Sequence, residues 1–467
     1  MSSYPLPEHL KLNEPVEYDK SIIRTEIVEI YPANGMNQAN LNTANANVRF
    51  VLNSENRFFH LSSKRSGFRV RVGFITKAAN GSNNKDAKCT LTSNWVGHMF
   101  SSAKLNLCGR TIEHIQNTGV AMDIMYHMKG KEFRLGEGEL EGFIPDTDTG
   151  AADFTSTLKT IAMANADAAV AALSNKTLNV DDDYNTGFKR RLNLYNYTVA
   201  TNDTVRYAEC FVPLSSIFGF VDEYDKLLKY MTLEIELIRH ATVARVYFGA
   251  DGATLAFGNP DTTGLLNIVL ELDAVTPSPQ LAVALDNELK EPLHITYMER
   301  TCLEKAAGQA LTFDVSESRF TSPRYIFVAC MKNDRNLFRH SDVNYIQVVV
   351  DSETFPNLQQ NAKFLENRFS KFYQSFADVS KYFYGGTSLS MKEYKDLYTI
   401  YGIDVSNQKD KVRGVNSNVS IRINRNAIPA NDNDATNPQS AEWYFIFLTE
   451  HHIKYNALAS TVEDILV

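Results

Sequence analysis

The sequence of 467 residues predicts an all-β fold: two tandem antiparallel jelly-roll β-sandwiches, with a short helix inserted after a β-hairpin in each. Three observations predict it. Aromatic residues make up 11% of the chain, and their flat rings favour pleated sheet. Most apolar segments alternate with a period of two, as half-buried strands do. One strand–turn–strand–helix pattern also occurs twice, which indicates an internal repeat.

The repeated pattern organises the whole chain. Its first copy, Ala103–Met128, has an alternating strand, a polar turn at residues 108–110, a return strand over Thr111–Ile115 and a helical segment. Its second copy has a strand over Tyr345–Val350, a turn, a return strand at residues 354–355 and a predicted helix over Asn361–Phe383. An apolar stripe from Phe364 to Phe372 supports that helix. The shared order of elements predicts two copies of one module.

Further strands are predicted from alternation or from short apolar segments. They are Ser21–Ile30, Val48–Leu52, Phe68–Thr76, Ala208–Leu214, Leu228–Arg239, Leu266–Val275, His294–Lys305, Tyr325–Lys332, Tyr398–Val405, Asn418–Asn424 and Trp443–Tyr455. These strands do not alternate one for one with helices, which excludes a parallel doubly wound sheet. About eight strands in each half is the number that builds a jelly roll.

The domain organisation follows from these elements. Residues 1–20 hold three prolines and predict an extended arm, either disordered or exchanged with a neighbouring subunit. We assign residues 21–287 to the first jelly roll and residues 288–467 to the second, with a helical connector at 280–291. Residues 129–183 contain a Gly-rich segment, a D-T-D-T-G turn and an Ala-rich helical segment, and they are predicted to be a variable insertion in the first roll.

Composition restricts the function. The net charge of −8 argues against nonspecific coating of nucleic acid, which needs a basic surface. The five cysteines, Cys89, Cys108, Cys210, Cys302 and Cys330, show no C-x-x-C spacing, so we expect free thiols and neither disulfides nor a zinc site. Neither a signal sequence nor a membrane-spanning apolar segment is evident, and we expect no membrane insertion.

Motifs of catalysis are not found. The sequence lacks a P-loop, a G-x-S-x-G elbow and an H-E-x-x-H helix, which predicts a protein that is not an enzyme and has no catalytic, cofactor-binding or metal residues. His451 and His452 are adjacent in a strand, so their side chains point to opposite faces and cannot share a metal. Asp123 and His127 are spaced to form a helical pair, which we interpret as a structural contact rather than an acid–base dyad.

Two charged clusters have a functional and a simpler interpretation. Asp146, Asp148 and Asp181–Asp183 could together bind a hard cation such as calcium, but they lack EF-hand spacing, and a solvated acidic loop is the favoured interpretation. Lys189-Arg190-Arg191 could contact nucleic acid or serve as a weak nuclear signal, but three charges in a loop are usually solvated. We therefore predict no specific nucleic-acid binding.

Eight segments together carry a resemblance to a known family. The stretch NWVGHMFSSAKLNLCGRTIEH at residues 94–114 is one of them, and the others are residues 186–196, 209–240, 266–279, 292–308, 323–334, 338–357 and 398–408. In amino-acid sequence and in order along the chain, they resemble the major capsid protein of Polinton/Maverick elements and their adintovirus relatives. That protein is a double jelly roll of the adenovirus–tectivirus lineage. Residues 129–183 depart from the family pattern.

The resemblance implies a structural role. It implies a homotrimer whose six jelly rolls form a pseudo-hexagonal capsomer, and capsomers that tile an icosahedral shell around a double-stranded DNA genome. The implied partners are neighbouring capsomers, penton proteins and minor capsid proteins. The implied location is the virion capsid, after synthesis in the host cytoplasm and with assembly in the nucleus as one option. The loops 129–183 and 426–440 would face outward or toward neighbours.

Two alternatives remain. A minor jelly-roll capsid protein would need a single roll, which the repeated hairpin–helix pattern disfavours. A carbohydrate-binding or hydrolytic β-sandwich protein would need exposed aromatic side chains and paired carboxylates in a cleft. The chain has two tryptophans, Trp95 and Trp443, and both lie in apolar stretches that we interpret as strands.

Overall fold

Twelve stretches of the chain are described by a computed structural model, and all structural statements refer to them. They are residues 21–33, 42–54, 57–83, 89–147, 185–195, 205–249, 253–256, 264–306, 310–331, 336–408, 416–426 and 442–464. The predicted arm 1–20, the Ala-rich part of the insertion and residues 427–440 of the predicted surface loop lie outside these stretches.

The first half of the chain folds into one β-sandwich. Its strands are β1 (Ile22–Ile30), β2 (Asn47–Asn53), β3 (Phe58–His60), β4 (Gly67–Lys77), β5 (Cys89–Leu91), β6 (Phe100–Leu107), β7 (Arg110–Gln116), β8 (Arg206–Pro213), β9 (Leu227–Leu228), β10 (Thr232–Arg239), β11 (Tyr247–Gly249), β12 (Thr254–Ala256) and β13 (Gly264–Pro277). Two principal antiparallel sheets form from them, with the orders β1-β13-β4-β8 and β2-β10-β6-β7, and β5 pairs with β11 in a third, two-stranded sheet.

The second half repeats this sandwich. Its strands are β14 (Leu293–Ala306), β15 (Thr312–Phe320), β16 (Pro323–Met331), β17 (Val343–Val350), β18 (Glu353–Phe355), β19 (Ile400–Asp404), β20 (Ser417–Arg425), β21 (Glu442–Asn456) and β22 (Thr461–Asp464). The principal sheets are β14-β21-β16-β19 and β15-β20-β17-β18.

The two halves share one connectivity. When the eight principal strands of each half are numbered in chain order, both halves give the sheet orders 1-8-3-6 and 2-7-4-5. This is the strand order of a jelly roll, built from antiparallel Greek-key connections. The predicted fold class is therefore confirmed. The boundary at residues 287/288 stays a prediction; it falls in a helix that joins the two rolls.

The helices are short and lie mainly between strands. They are α1 (Trp95–His98), α2 (Thr118–Met128), α3 (Lys131–Leu135), α4 (Glu137–Leu140), α5 (Thr186–Tyr195), α6 (Leu214–Ile217), α7 (Gly219–Glu223), α8 (Pro279–Glu288), α9 (Ser370–Tyr384) and α10 (Met391–Asp396). The helices α2 and α9 follow the hairpins β6–β7 and β17–β18, so a helix after a hairpin occurs in both rolls as predicted.

The second of these helices begins later than predicted. The prediction placed Phe364 and Leu365 on it, but they lie in a separate 3₁₀ turn. Asn367 has a φ of 59°, which is left-handed and cannot continue a helix, so α9 begins only at Ser370. In the first hairpin, Cys108 and Gly109 both have positive φ, at 51° and 78°. This is the turn geometry that matches the twist of two antiparallel strands.

Apolar and polar side chains alternate along the strands, and the apolar ones form the core. In β4, Phe68, Val70, Val72 and Phe74 are buried inside the first sandwich, while the Arg69 and Arg71 side chains are exposed. Four of the five cysteines are buried and all five are free, as predicted. One continuous apolar cluster extends through both sandwiches. The two rolls are therefore packed against each other by their side chains.

The Gly-rich start of the insertion, for which no element was predicted, forms the helices α3 and α4. Two local predictions were wrong. Trp95 lies in the helix α1 rather than in a strand. Lys189-Arg190-Arg191 lies in the helix α5 rather than in a loop, because Phe188 and Arg191 both pack inward from one face of that helix.

Candidate functional site: the junction between the two jelly rolls

One fully buried carboxylate contacts both jelly rolls. Glu113 lies on β7 of the first roll and is fully buried. Its oxygens accept hydrogen bonds from the backbone N–H groups of Gly219 (3.1 Å) and Phe220 (3.1 Å) in the first roll and of Arg300 (2.9 Å) in the second. These bonds fix the strand β14 against β7 and the start of α7. We call the contact of β7, α6 and α7 with β14 the junction.

Burial changes the acidity of this carboxylate. It raises the pKa of Glu113 to about 7, although the nearby Arg300 guanidinium and the three N–H groups oppose the rise. Glu223, on α7, is an exposed residue whose carboxylate is partly desolvated where it accepts the Met298 N–H at 3.0 Å, and its pKa is also raised. Both carboxylates contact β14, and the buried Glu113 exchanges its proton near neutral pH.

These shifts predict a pH-dependent stability. The folded chain binds more protons than the unfolded chain between the ordinary glutamate pKa of 4.5 and about 7. The free energy of unfolding should therefore fall as pH rises through that window. Denaturant unfolding of the wild type and of Glu113→Gln, at several pH values in that window, measures the effect. We expect a shallower pH slope in the variant, and parallel slopes would contradict the assignment to Glu113.

The Arg300 side chain continues the junction. It is buried, and it donates hydrogen bonds to the carbonyl oxygens of Ser215, Ser216 and Ile217 at 3.3–3.4 Å, which are the C-terminal carbonyls of α6. It also pairs with Asp222 at 2.5 Å. The hydroxyl of Tyr384, at the end of α9, donates to the same Asp222 carboxylate at 2.9 Å. Both helices α6 and α9 are thereby tied to β14.

Close backbone approach is a further feature of the junction. A Cβ atom added to Gly219 would lie 2.1 Å from the carbonyl oxygen of Met298, far inside van der Waals contact. The Tyr297 ring packs edge-on against Phe220, with ring centroids 5.2 Å apart, and its hydroxyl donates to the Ile112 carbonyl at 2.9 Å. The two rolls therefore meet in one defined register.

Contacts beyond the junction hold the rolls at both ends of their strands. At one end, the Arg245 guanidinium donates to the Tyr444 hydroxyl at 2.7 Å and pairs with Glu442. At the other end, the Tyr455 hydroxyl donates to the Lys229 carbonyl at 2.6 Å. Because polar bonds at both ends and in the middle have fixed directions, they resist rotation of one roll against the other.

A cavity of about 1090 Å³ lies beside the junction. The Lys129 amine lines it and is surrounded by aromatic rings, the nearest being Phe133 with its centroid 4.2 Å away. Burial lowers the pKa of Lys129. Glu141, which also lines the cavity, accepts hydrogen bonds from Tyr126 and Ser216 at 2.6 and 2.7 Å. The polar groups at this wall are thus engaged in structural contacts.

The predicted pair of Asp123 and His127 does not form. The Asp123 carboxylate instead contacts the His98 ring nitrogen at 2.7 Å and the Asn94 amide at 2.8 Å, all buried. The His127 ring packs on Tyr398 of the second roll, with centroids 4.0 Å apart. The helical spacing was correct, but α2 is buried on every side, so Asp123 and His127 contact different neighbouring elements instead of each other.

The other charged candidates also have structural partners. Asp146 forms a buried ion pair with Arg191 at 2.5 Å, so the prediction that the basic triplet is solvated was wrong for Arg191. Asp148 and Asp181–Asp183 lie outside the described residues. His451 pairs with Glu299 at 2.8 Å and His452 with Glu450 at 3.2 Å, on opposite faces of β21.

Within the described stretches, no group of three or more His, Cys, Asp or Glu side chains is placed to hold a metal ion. No helix there has the length and apolar character needed to cross a bilayer.

Comparison with known proteins agrees with this architecture. The family of the double jelly roll-like domain matches residues 298–436, which begin in β14 and end before β21. The fold is a double jelly roll. No curated protein matches the chain.

Solved double jelly-roll structures resemble the whole chain. A chain from the 3.5 Å cryo-EM structure of the Sputnik virophage has a TM-score of 0.61 at 11% identity, covering 99% of this chain and 92% of that one. The mavirus major capsid protein has a TM-score of 0.55 at 12% identity, covering 100% and 94%. A chain of the PBCV-1 virus capsid has a TM-score of 0.51 at 10% identity, covering 97% and 99%. The likeness concerns the fold and extends over both rolls.

Proposed function

We propose that this chain is a viral major capsid protein whose double jelly roll is the building block of a shell. The observation that supports this most is the junction at Glu113, which joins two sandwiches of identical connectivity in one fixed register. A rigid pair of like units lets a threefold ring approximate sixfold symmetry, which is the outline that packs into a hexagonal lattice. The solved virus structures of the same fold support the same role.

The finer assignment rests on the sequence resemblance. We propose a homotrimeric capsomer from a Polinton-like or adintovirus-like DNA virus or its integrated element, in an icosahedral shell around double-stranded DNA. Neighbouring capsomers, penton proteins and minor capsid proteins are the proposed partners, and the virion capsid is the proposed location. Residues 21–287 and 288–467 are the proposed rolls, and residues 1–20 are proposed to be an arm that contacts other virion proteins.

The alternatives are less compatible with the observed side chains. Trp95 and Trp443 are both fully buried, so neither can stack on a sugar ring as a carbohydrate-binding sandwich requires. A minor capsid protein with a single roll does not account for two rolls of equal connectivity.

Solution mass provides the test of this proposal. Light scattering coupled to size-exclusion chromatography should give about three times the chain mass of 52.6 kDa at micromolar concentration. A protein that stays monomeric at every concentration measured would contradict the proposal of a trimeric capsomer. The same fractions can be assayed for glycan binding, which should be absent.

A further inference from the structure

The first strand of the first roll exposes an apolar surface. In β1, the side chains of Ile23 and Ile27 are 64% and 44% exposed, and Ile22 is also exposed. Among the described strands β1 is an edge strand, paired with β13 alone. Edge strands with exposed apolar side chains readily pair with another chain.

The equivalent strand of the second roll is covered. β14 is the first strand of its roll, as β1 is of the first, and its Ile295 and Tyr297 side chains are each 2% exposed. The first roll covers β14 at the junction, through β7, α6 and α7. The strand β1 thus has the position of β14 without the neighbouring roll that covers β14.

A second apolar surface lies on the second roll. A cleft of about 630 Å³ opens between α9, the segment that follows β18 and the ends of β16 and β19. Leu358 and Tyr382 line it and are 79% and 71% exposed. We call it the second-roll cleft.

This cleft has the position of the junction surface in the first roll. In the first roll, the region beside the post-hairpin helix α2 and the end of β8 holds α6 and α7, against which β14 docks. In the second roll, the corresponding region beside the post-hairpin helix α9 and the end of β19 is the open cleft. Each roll therefore has a first-strand side and a helix side. Inside the chain, the helix side of the first roll meets the first-strand side of the second.

We propose that β1 of one copy docks into the second-roll cleft of a neighbouring copy, repeating between subunits the contact that the junction makes within one. The inference rests on the proposed capsomer and specifies its contact. Because the two surfaces differ, the contact is heterologous, and such contacts close into a ring when the rotation permits. Three copies would then present six rolls joined by alternating internal and intersubunit contacts.

The charges on the two surfaces also favour β1 of a neighbouring copy as the segment that fills the cleft. Arg24 lies beside Ile23, its side chain is 69% exposed, and it forms a surface ion pair with Glu26 that is inexpensive to exchange. Asp378 on α9, Asp404 at the end of β19 and Lys371 on α9 are exposed and line the cleft, so these three charges sum to −1. An arginine of the docking strand facing the two aspartates would parallel Arg300 and Asp222 at the junction.

Two double variants test the contact from its two sides. Ile23→Asp with Ile27→Asp changes the strand, and Leu358→Asp with Tyr382→Asp changes the cleft. Each should convert the trimer to the 52.6 kDa monomer in light scattering, with the far-UV circular dichroism of the folded wild type retained because the four side chains are exposed within one chain. Leu194→Asp, at an exposed leucine on α5, is the matched control and should stay trimeric. Serine pairs replace the aspartates if the circular dichroism of the folded chain is lost.

Mixing the two variants tests the polarity of the contact. The cleft variant retains an intact strand and the strand variant an intact cleft, so a cross-linker should trap a species of about twice 52.6 kDa in the mixture and in neither variant alone. A wild-type trimer whose variants all remain trimers would overturn the inference while leaving the capsomer proposal intact. A mixture without the cross-linked dimer would overturn it too, and a monomeric wild type would overturn both.

Discussion

Replacing Glu113 by alanine is expected to destabilise the chain by about 3–5 kcal/mol, the range for removing one partner from a buried charged group. The change leaves the Gly219, Phe220 and Arg300 N–H groups without their acceptor inside the protein. The Arg300 N–H belongs to β14 of the second roll, so the register of the two rolls depends on its bond to Glu113. Denaturant unfolding followed by tryptophan fluorescence measures the loss.

A matched glutamate serves as the control for this prediction. Glu209 lies on β8, with its side chain 50% exposed in a surface pair with Arg69. Glu209→Ala should therefore change the unfolding free energy by less than about 1 kcal/mol. If Glu113→Ala and Glu209→Ala were equally mild, the junction would not depend on the buried carboxylate, and the rigid coupling of the rolls would need another cause.

Replacing Asp146 by alanine should have a similar effect, about 3–5 kcal/mol. Both side chains of the Arg191–Asp146 pair are almost fully buried. The Arg191 guanidinium also donates to the Leu91 carbonyl at 2.9 Å and to the Ile144 carbonyl, so the pair fastens α5 to the strand β5. Loss of Asp146 leaves a buried charge uncompensated. Thermal and denaturant unfolding measure the loss.

The neighbouring arginine provides the control here. Arg190 lies on the same helix, half exposed, and pairs with Glu139 at the surface. Arg190→Ala should have an effect below about 1 kcal/mol. Adding Arg191→Met to Asp146→Ala should recover part of the loss, because an apolar replacement of a buried pair is often tolerated. A double variant less stable than Asp146→Ala would contradict the account of an uncompensated charge.

Much of the fold could be predicted because burial on one face leaves a period of two in the sequence. The strand β10, for example, alternates between buried and half-buried residues along its whole length, and it was predicted from that pattern. The strand β15 was missed for the opposite reason. Its residues Thr312–Phe320 are mostly exposed, with two buried positions in nine, so the pairing with β20 and not apolar alternation determines its conformation.

The junction could not be predicted from the sequence alone. Glu113 follows Ile112 in a strand, where alternation would place one of the two in solvent, yet both are buried. The pairing of β6 with β7 shifts register at Ile112, and this irregularity breaks the alternation. The partners of Glu113 come from segments more than 100 residues away, so no local spacing indicates them. The pairing of Asp123 with His98 instead of His127 could not be predicted either, because the two residues are 25 positions apart and lie on different helices.

Electron microscopy of the purified protein tests the central claim most directly. Two-dimensional class averages viewed along the particle axis should show a hexagonal outline with six density lobes, and a threefold reconstruction should place two jelly rolls in each subunit. Particles with any other number of lobes, or single two-lobed particles at every concentration, would contradict a capsomer built from a double jelly roll.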